Sequence, residues 1–511
     1  MLNEKTEPVG DTLTLTIIMV IHHFVKKILL AIIVAITLSV THLSAVTTID
    51  LPDIGDSTGN ILSPEYERRL GQAFLNQIRR QTDIINDPEV ESYIQSIGYR
   101  LVAQSDNNSQ LFTFFVINDS LINAFAAPGG IVGINSGTIM NSDSESELAS
   151  VMAHEIAHVT QRHMARSAEM QQKMSIPMMA AMLGAILIAS QNSQAGAAAI
   201  AAVQGGAVQA QINFTRYNEE EADRVGMQLL LRSDFNPNGM PKFFKKLQQN
   251  SRYSAQAPEF LRTHPITTNR IADAEARAST SNVGDNFEES RTYQYIRTKL
   301  AVRSYKNPID AVNNFQNLVN HNQGANNIAI LKYGLALAYL EAKNYDSARL
   351  QLDKLLANDR ENTSLMLAMA DLEVRQQHYD SAIKLYANMH KLFPDYRPLI
   401  LLYAETLLTA KRPEQARVIL ENYSKFHTPD ITYYEYLTRA EAESGNIINS
   451  SMANAEYYFL TGETRVAIEQ LKSILRQNRT RPDYYQEQRI LSRITQLEQE
   501  LQIERELKLA Q

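Results

Sequence analysis

His154-Glu155-Ile156-Ala157-His158 sets two imidazoles and a carboxylate in the spacing that hydrolytic metal chemistry requires. On an α-helix, residues i and i+4 differ by about 40° of rotation, so both histidines project from one face and can bind one Zn²⁺. Glu155 lies about 100° round from His154. There it can take a proton from a water held at the metal. A third protein ligand is needed that leaves one tetrahedral position open. The cluster Asn218-Glu219-Glu220-Glu221-Ala222-Asp223 offers Glu219 as the best candidate. Glu219 and Asp223 are again i and i+4, so a ligand and a second carboxylate share a helix face. That second carboxylate can orient a zinc histidine through its other ring nitrogen. Spacing alone does not choose between Glu219, Glu220 and Glu221. His163, nine residues on from His154, is predicted to point to the opposite side as an ordinary, partly exposed histidine.

The helix that must carry the histidines is well specified. Ser144 and Glu147 form a capping box, and Leu148, Val151, Met152, Ile156 and Val159 make a helical apolar stripe. Pro128-Gly129-Gly130 is turn chemistry, followed by Ile131, Val132 and Ile134 in an extended pattern. That strand is expected at a sheet edge, where a peptide could add by main-chain hydrogen bonds. Residues 174–215 carry no charge, and 176–189 are almost wholly apolar but too short for a regular membrane span. They read as a buried helical hairpin or as a membrane-leaning insertion that controls access to the cleft. Residues 195–210, rich in Ala, Gly and Gln, would pack weakly.

In this order, His154 and His158, then Glu219 with Ala222 and Asp223, resemble the gluzincin metallopeptidases of the CAAX prenyl protease and HtpX type. The segment 123–137 is similar to that family's strand beside the cleft. Residues 262–265, with Arg270 and Ile271 behind them, resemble its later histidine loop. The resemblance covers about residues 60–280. It implies one Zn²⁺ per chain held by His154, His158 and Glu219, with Glu155 as catalytic carboxylate and Asp223 behind a ligand. It also implies that His264 lies near the zinc. His264 precedes Pro265, so it is expected in an extended or turn conformation. It is either a fourth ligand on a loop that closes the site, a helper in catalysis, or a loop residue without a role.

Composition bounds the setting. The 511 residues carry a net charge of −7 and no cysteine. Disulfides, Cys–zinc sites and thiol nucleophiles are therefore excluded. Mild acidity without a basic, aromatic-studded patch argues against nucleic acid. Lys26-Lys27, the apolar run 28–38 and Leu43-Ser44-Ala45 read as a secretory signal peptide over 1–45, with Met19 a possible true start. A retained membrane anchor is the competing reading.

Past residue 290 the texture becomes repetitive. Ala348, Ala382 and Ala416 lie 34 residues apart, and Ala336, Ala370 and Ala404 repeat the same interval upstream. This is the tetratricopeptide period, and Pro394 falls at the terminal proline position. Asn307 to Ala311 and Thr464 to Ala467 look like degenerate copies, and residues 486–509 like a charged cap. The expected fold is mainly α. An α+β zinc metallopeptidase domain with a small sheet occupies 46–290, and an α-helical tetratricopeptide repeat solenoid occupies 291–511. Such an exported gluzincin with repeats resembles the periplasmic proteases that enhance outer-membrane β-barrel assembly. The resemblance implies a Gram-negative periplasm, stalled or unfolded β-barrel clients, and docking on the barrel assembly machinery through the repeats. Peripheral membrane contact through 174–215 is a further expectation. That type carries a cysteine pair in its repeats, which this chain lacks. A scaffold with a dormant zinc site and a general membrane-associated protease of the HtpX kind are the alternatives.

Overall fold

The computed structural model describes residues 63–506 apart from 107–110, 172–192, 254–258, 282–289, 322–324 and 478–483. The signal peptide and residues 174–192 of the charge-free stretch therefore lie outside the described residues. From Ser193 onward that stretch belongs to one long helix, Ser193–Arg232. Among the described residues no helix is long and apolar enough to cross a membrane.

Helix α1 (Pro64–Gln81) opens on Ser63, and α2 (Pro88–Val102) on Asp87, whose side chain accepts from the N–H groups of Glu89 and Val90. Proline at each first helical position costs no hydrogen bond there. Strands β1 (Thr113–Ile117), β2 (Ala124–Ala127) and β3 (Ile131–Asn135) form one sheet in the order β1-β3-β2. Phe114 pairs with Val132 in parallel, and Phe125 with Gly133 antiparallel. The strand after Pro128-Gly129-Gly130 is therefore the central one, wholly buried, and not the edge that the sequence suggested. The edges are the preceding arm, β2, and β1, whose outer side Ile84 bridges at Ile117. The sheet is crossed over because β1 pairs across an intervening strand, and local patterning does not encode that pairing. Gly129 sits at φ 75°, and a Cβ there would lie 2.8 Å from the Cα of Arg68. Glycine is required at that turn.

After α3 (Ser136–Asn141) comes α4 (Glu145–Thr160), started by Ser144, whose hydroxyl accepts from the Glu147 N–H at 3.2 Å. Glu147 itself reaches back to the N–H of Asp143, one residue beyond the reciprocal capping box. Leu148, Met152 and Ile156 enter a core shared with Val90, Ile94 and Leu101 of α2, Val116, Val132 and Ile134 of the sheet, and Phe243 and Phe260. Helix α5 (Ser193–Arg232) packs along α4, followed by α6 (Gly239–Tyr253), α7 (Glu259–Thr263) and α8 (Thr268–Ser279).

Helix pairs then run from α9 (Arg291–Arg303) to Tyr484–Glu506. Ala336, Ala348, Ala370, Ala382, Ala404 and Ala416 are all buried at helix contacts. The expected mainly α architecture, with a small sheet and a repeat array, is what the chain forms. The array is not a free appendage. Tyr293, Ile296 and Leu300 of α9 belong to the core around α4, and the Tyr293 hydroxyl donates to the carbonyls of Ile139 and Ser142. Lys299 pairs with Asp87 and Glu89, and Arg397 with Glu91 at 3.0 Å. At the far end Arg69 pairs with Glu500 at 2.8 Å. Without a disulfide, the last repeats are held by an apolar cluster of Ala467, Leu471, Ile490 and Leu497, and by an Arg493–Glu456 ion pair. The residues described here form one compact unit within Ser57–Gln511. A cavity of about 580 Å³ separates the inner face of the repeats from α2, lined by Glu89, Lys299, Tyr333, Arg375 and Tyr386 among others.

Candidate metal centre

Helix α4 turns His154 and His158 to one side, with ring centroids 4.7 Å apart. Helix α5 crosses it closely. A Cβ on Gly226 would lie 3.2 Å from the His154 nitrogen, so the absent side chain lets the two helices approach. That approach brings in Glu219, whose carboxylate oxygens lie 3.3 Å from His154 Nε2 and 3.4 Å from His158 Nε2. The packing of α5 against α4 separates the three consecutive glutamates. Glu219 faces the histidines, Glu220 is exposed, and Glu221 points along α4 toward His163. His264 follows α7 in a bend, with its ring stacked on Phe260 and Nδ1 3.0 Å from Glu219.

Behind His154, Asp223 Oδ1 lies 3.0 Å from Nδ1. Arg270 donates to both Asp223 oxygens at 2.6 and 2.8 Å, and to Glu219 at 2.9 Å. The sequence noted Arg270 only as part of a loop; that it neutralises two buried acids follows from a helix packing that no local pattern announces. Burial opposes charge on every one of these groups. The His154 and Arg270 contacts nevertheless hold Asp223 below its ordinary range, and Glu219 is held well below by the three histidines. His154 goes up to about 10 in spite of burial, because Asp223 and Glu219 flank it. Burial pushes His158 down to about 3.

His163 is not the partly exposed histidine that the helical extrapolation predicted. It is 3% exposed, and its Nδ1 lies 2.9 Å from His158 Nδ1. The reason is a break in the helix. Helix α4 ends at Thr160, Arg162 takes a left-handed φ of 52°, and helix resumes from 163. The rotation of about 100° per residue therefore does not carry past Thr160. No glycine or proline marks the break, so no residue type announces it.

The donor set fits a divalent metal ion. One donor atom each from His154, His158, Glu219 and His264 lies within 4.8 Å of the others, all on buried or nearly buried side chains. Nitrogens of His154, His158 and His264 all converge on the Glu219 carboxylate, at 3.3, 3.4 and 3.0 Å. Imidazole and carboxylate are the ligands such ions take, and the Asp223 contact fixes which His154 nitrogen faces the centre. Beside it, Glu155 is 1% exposed, its Oε1 accepts no hydrogen bond, and that oxygen lies 3.5 Å from His264 Nε2.

Comparison with known proteins agrees with this geometry. Residues 88–278 match peptidase family M48, and residues 373–441 match a tetratricopeptide repeat. The chain is 38% identical over 455 residues to the beta-barrel assembly-enhancing protease of Escherichia coli (strain K12), covering 88% of this chain and 91% of that one. Against the protein of that name from Yersinia pestis it is 35% identical over 418 residues, covering 82% and 86%. The mitochondrial metalloendopeptidase OMA1 of Schizosaccharomyces pombe is 26% identical over 219 residues, covering 42% of this chain and 62% of that one. With an M48 segment, a repeat array and nearly the full length of the two beta-barrel assembly-enhancing proteases, the chain belongs to the beta-barrel assembly-enhancing protease family of M48 metallopeptidases.

Proposed function

We propose that the chain is a periplasmic zinc endopeptidase that degrades outer-membrane β-barrel proteins stalled in assembly and assists the maturation of others. The observation that carries the reading is the buried Glu155 carboxylate set against four converging donors. His154, His158 and Glu219 would hold one zinc ion per chain, with Asp223 and Arg270 fixing His154 and Glu219. When bound, the ion would polarise the scissile carbonyl and acidify a water beside Glu155. Glu155 Oε1 takes a proton from the attacking water and delivers it to the leaving amide nitrogen. The water oxygen adds to the carbonyl carbon, and the C–N bond breaks afterwards, once the nitrogen has taken that proton and can leave as the amine. The open edge of β2 aligns an extended client through main-chain hydrogen bonds, which tolerates sequence and suits unfolded chains.

His264 acts as a gate in this reading. It lies between Glu219 and Glu155, so the client must displace it, and client binding shifts the population toward the open state. Catalysis resides in 46–290 with α9 completing its core, while the repeats of 291–511 capture clients and dock on the barrel assembly machinery. Residues 1–45 direct export, and the charge-free stretch 174–215 makes peripheral membrane contact. The names of the relatives and the repeat array support this assignment.

The test is Glu155→Gln in the purified protein. It keeps one zinc per chain and loses peptide hydrolysis, whereas His154→Ala loses both. Undiminished proteolysis by Glu155→Gln overturns the reading.

A further inference from the structure

The two imidazoles of the centre are backed differently. His154 meets its carboxylate directly, through Asp223 and Arg270. Among the described residues no carboxylate touches the outer nitrogen of His158. A second imidazole stands there instead: His163 Nδ1 is 2.9 Å from His158 Nδ1, and His163 Nε2 is 3.1 Å from Glu221 Oε2. Glu221 in turn accepts from Arg166 at 2.8 Å, and Arg166 reaches Asn218 Oδ1 at 3.3 Å. The protons can be assigned along this line. His158 directs Nε2 at Glu219 and the centre. To serve as a ligand there its Nε2 must be bare, so its proton sits on Nδ1. Nδ1–H then donates to His163 Nδ1, which must be an acceptor, and His163 donates from Nε2–H to the Glu221 carboxylate. Each contact has one donor and one acceptor, and no other arrangement satisfies all of them with neutral rings.

The geometry points to His163 as a positioning residue for the metal centre. It carries the orienting effect of the Glu221–Arg166 ion pair to His158 across a distance that a carboxylate on α5 does not span alone. The left-handed Arg162 is the device that turns it inward. Helix α5 thus supports both histidines from one short segment: Asp223 backs His154, Glu219 lies between them, and Glu221 backs His158 through His163. Orienting partners of this kind typically change metal affinity by about 10–100-fold.

This inference rests on the metal reading of the site, and the experiment separates the two. Zinc affinity is measured on the full chain by competition with a chromogenic chelator, and thermal unfolding is followed with and without zinc. Wild type takes up one zinc; a wild-type chain that binds none overturns both readings. His163→Ala lowers zinc affinity by about 10–100-fold, and its metal-free unfolding temperature changes much less than its zinc-loaded one. His163→Asn puts an amide oxygen where Nδ1 stands and recovers most of that affinity. A purely structural histidine would instead lower both unfolding temperatures together, with Asn no better than Ala. That result overturns the inference, as does wild-type zinc affinity in His163→Ala. If His163→Ala fails to fold, Glu221→Gln, on a half-buried side chain, decides. A loss of zinc affinity in the folded variant supports the relay, and an unchanged affinity ends it.

Discussion

Asp223 Oδ1 lies 3.0 Å from His154 Nδ1 while the same carboxylate takes a two-point ion pair from Arg270. The arginine, 4% exposed, also reaches Glu219, so one buried cation holds two buried anions. Removing one partner of such a group leaves uncompensated charge, at a cost of about 3–5 kcal/mol. Arg270→Met therefore lowers the urea midpoint markedly and weakens zinc retention. Lysine restores charge but not the forked geometry, and rescues only in part. Denaturation and zinc content of the two variants check this.

His264 reaches both Glu219 and Glu155 and stacks on Phe260. His264→Ala is expected to raise basal proteolysis of an unfolded reporter while zinc per chain stays at one. A folded, metallated variant with reduced activity would make His264 a helper of the reaction instead.

The junction between α2 and α9 predicts an acid limit. Burial pushes the Asp87 carboxyl up, but Lys299, the Val90 N–H and Arg303 outweigh it and hold it below 3.8. Burial likewise opposes charge on Lys299, yet Glu89 and Asp87 hold it well above 10.5. A carboxyl depressed on folding stabilises above its unfolded pKa, and that contribution is lost as pH falls through the lower folded value. A raised ammonium stabilises below its unfolded pKa and loses its effect only as pH rises through the higher one. The junction is thus intact at neutral pH and weakens below about pH 4. Lys299→Met costs about 3 kcal/mol at pH 7 and flattens the acid side of the stability curve. Urea unfolding across pH measures both.

Separating the two activities requires a cut in the right place. Because Tyr293, Ile296 and Leu300 fill the catalytic core, a chain ending at 290 lacks part of that core, whereas one ending after Arg303 keeps it. The longer fragment is expected to cleave a short peptide while losing most activity on a full-length client. Equal loss on both substrates would show that the later helices are part of the catalytic fold.

Legibility in the sequence followed the range of the interaction. Helical phase predicted that His154 and His158 share a face, and the 34-residue interval predicted helices packing through Ala348, Ala382 and Ala416, because both are local regularities. His163 escaped because a single left-handed residue, Arg162, reset the phase. The central place of β3 escaped because its neighbour β1 is fixed by pairing across β2. Arg270 and Glu221 lie in plain view, but their partners come from other helices, and only the packing of α5 against α4 selects among the acids.

The contact between Arg69 and Glu500 spans 431 residues of chain. Arg69 belongs to the helix that also braces the Pro128–Gly130 turn at the cleft. Contacts so distant in sequence form late, after nearer ones. A chain emerging from its N-terminus first must therefore leave this helix without its last partner until the final helix has been made. The order of synthesis thus sets an order of assembly: the helix beside the Pro128–Gly130 turn gains its Glu500 contact only after the segment that carries Glu500 has left the ribosome, long after the peptidase segment itself is complete.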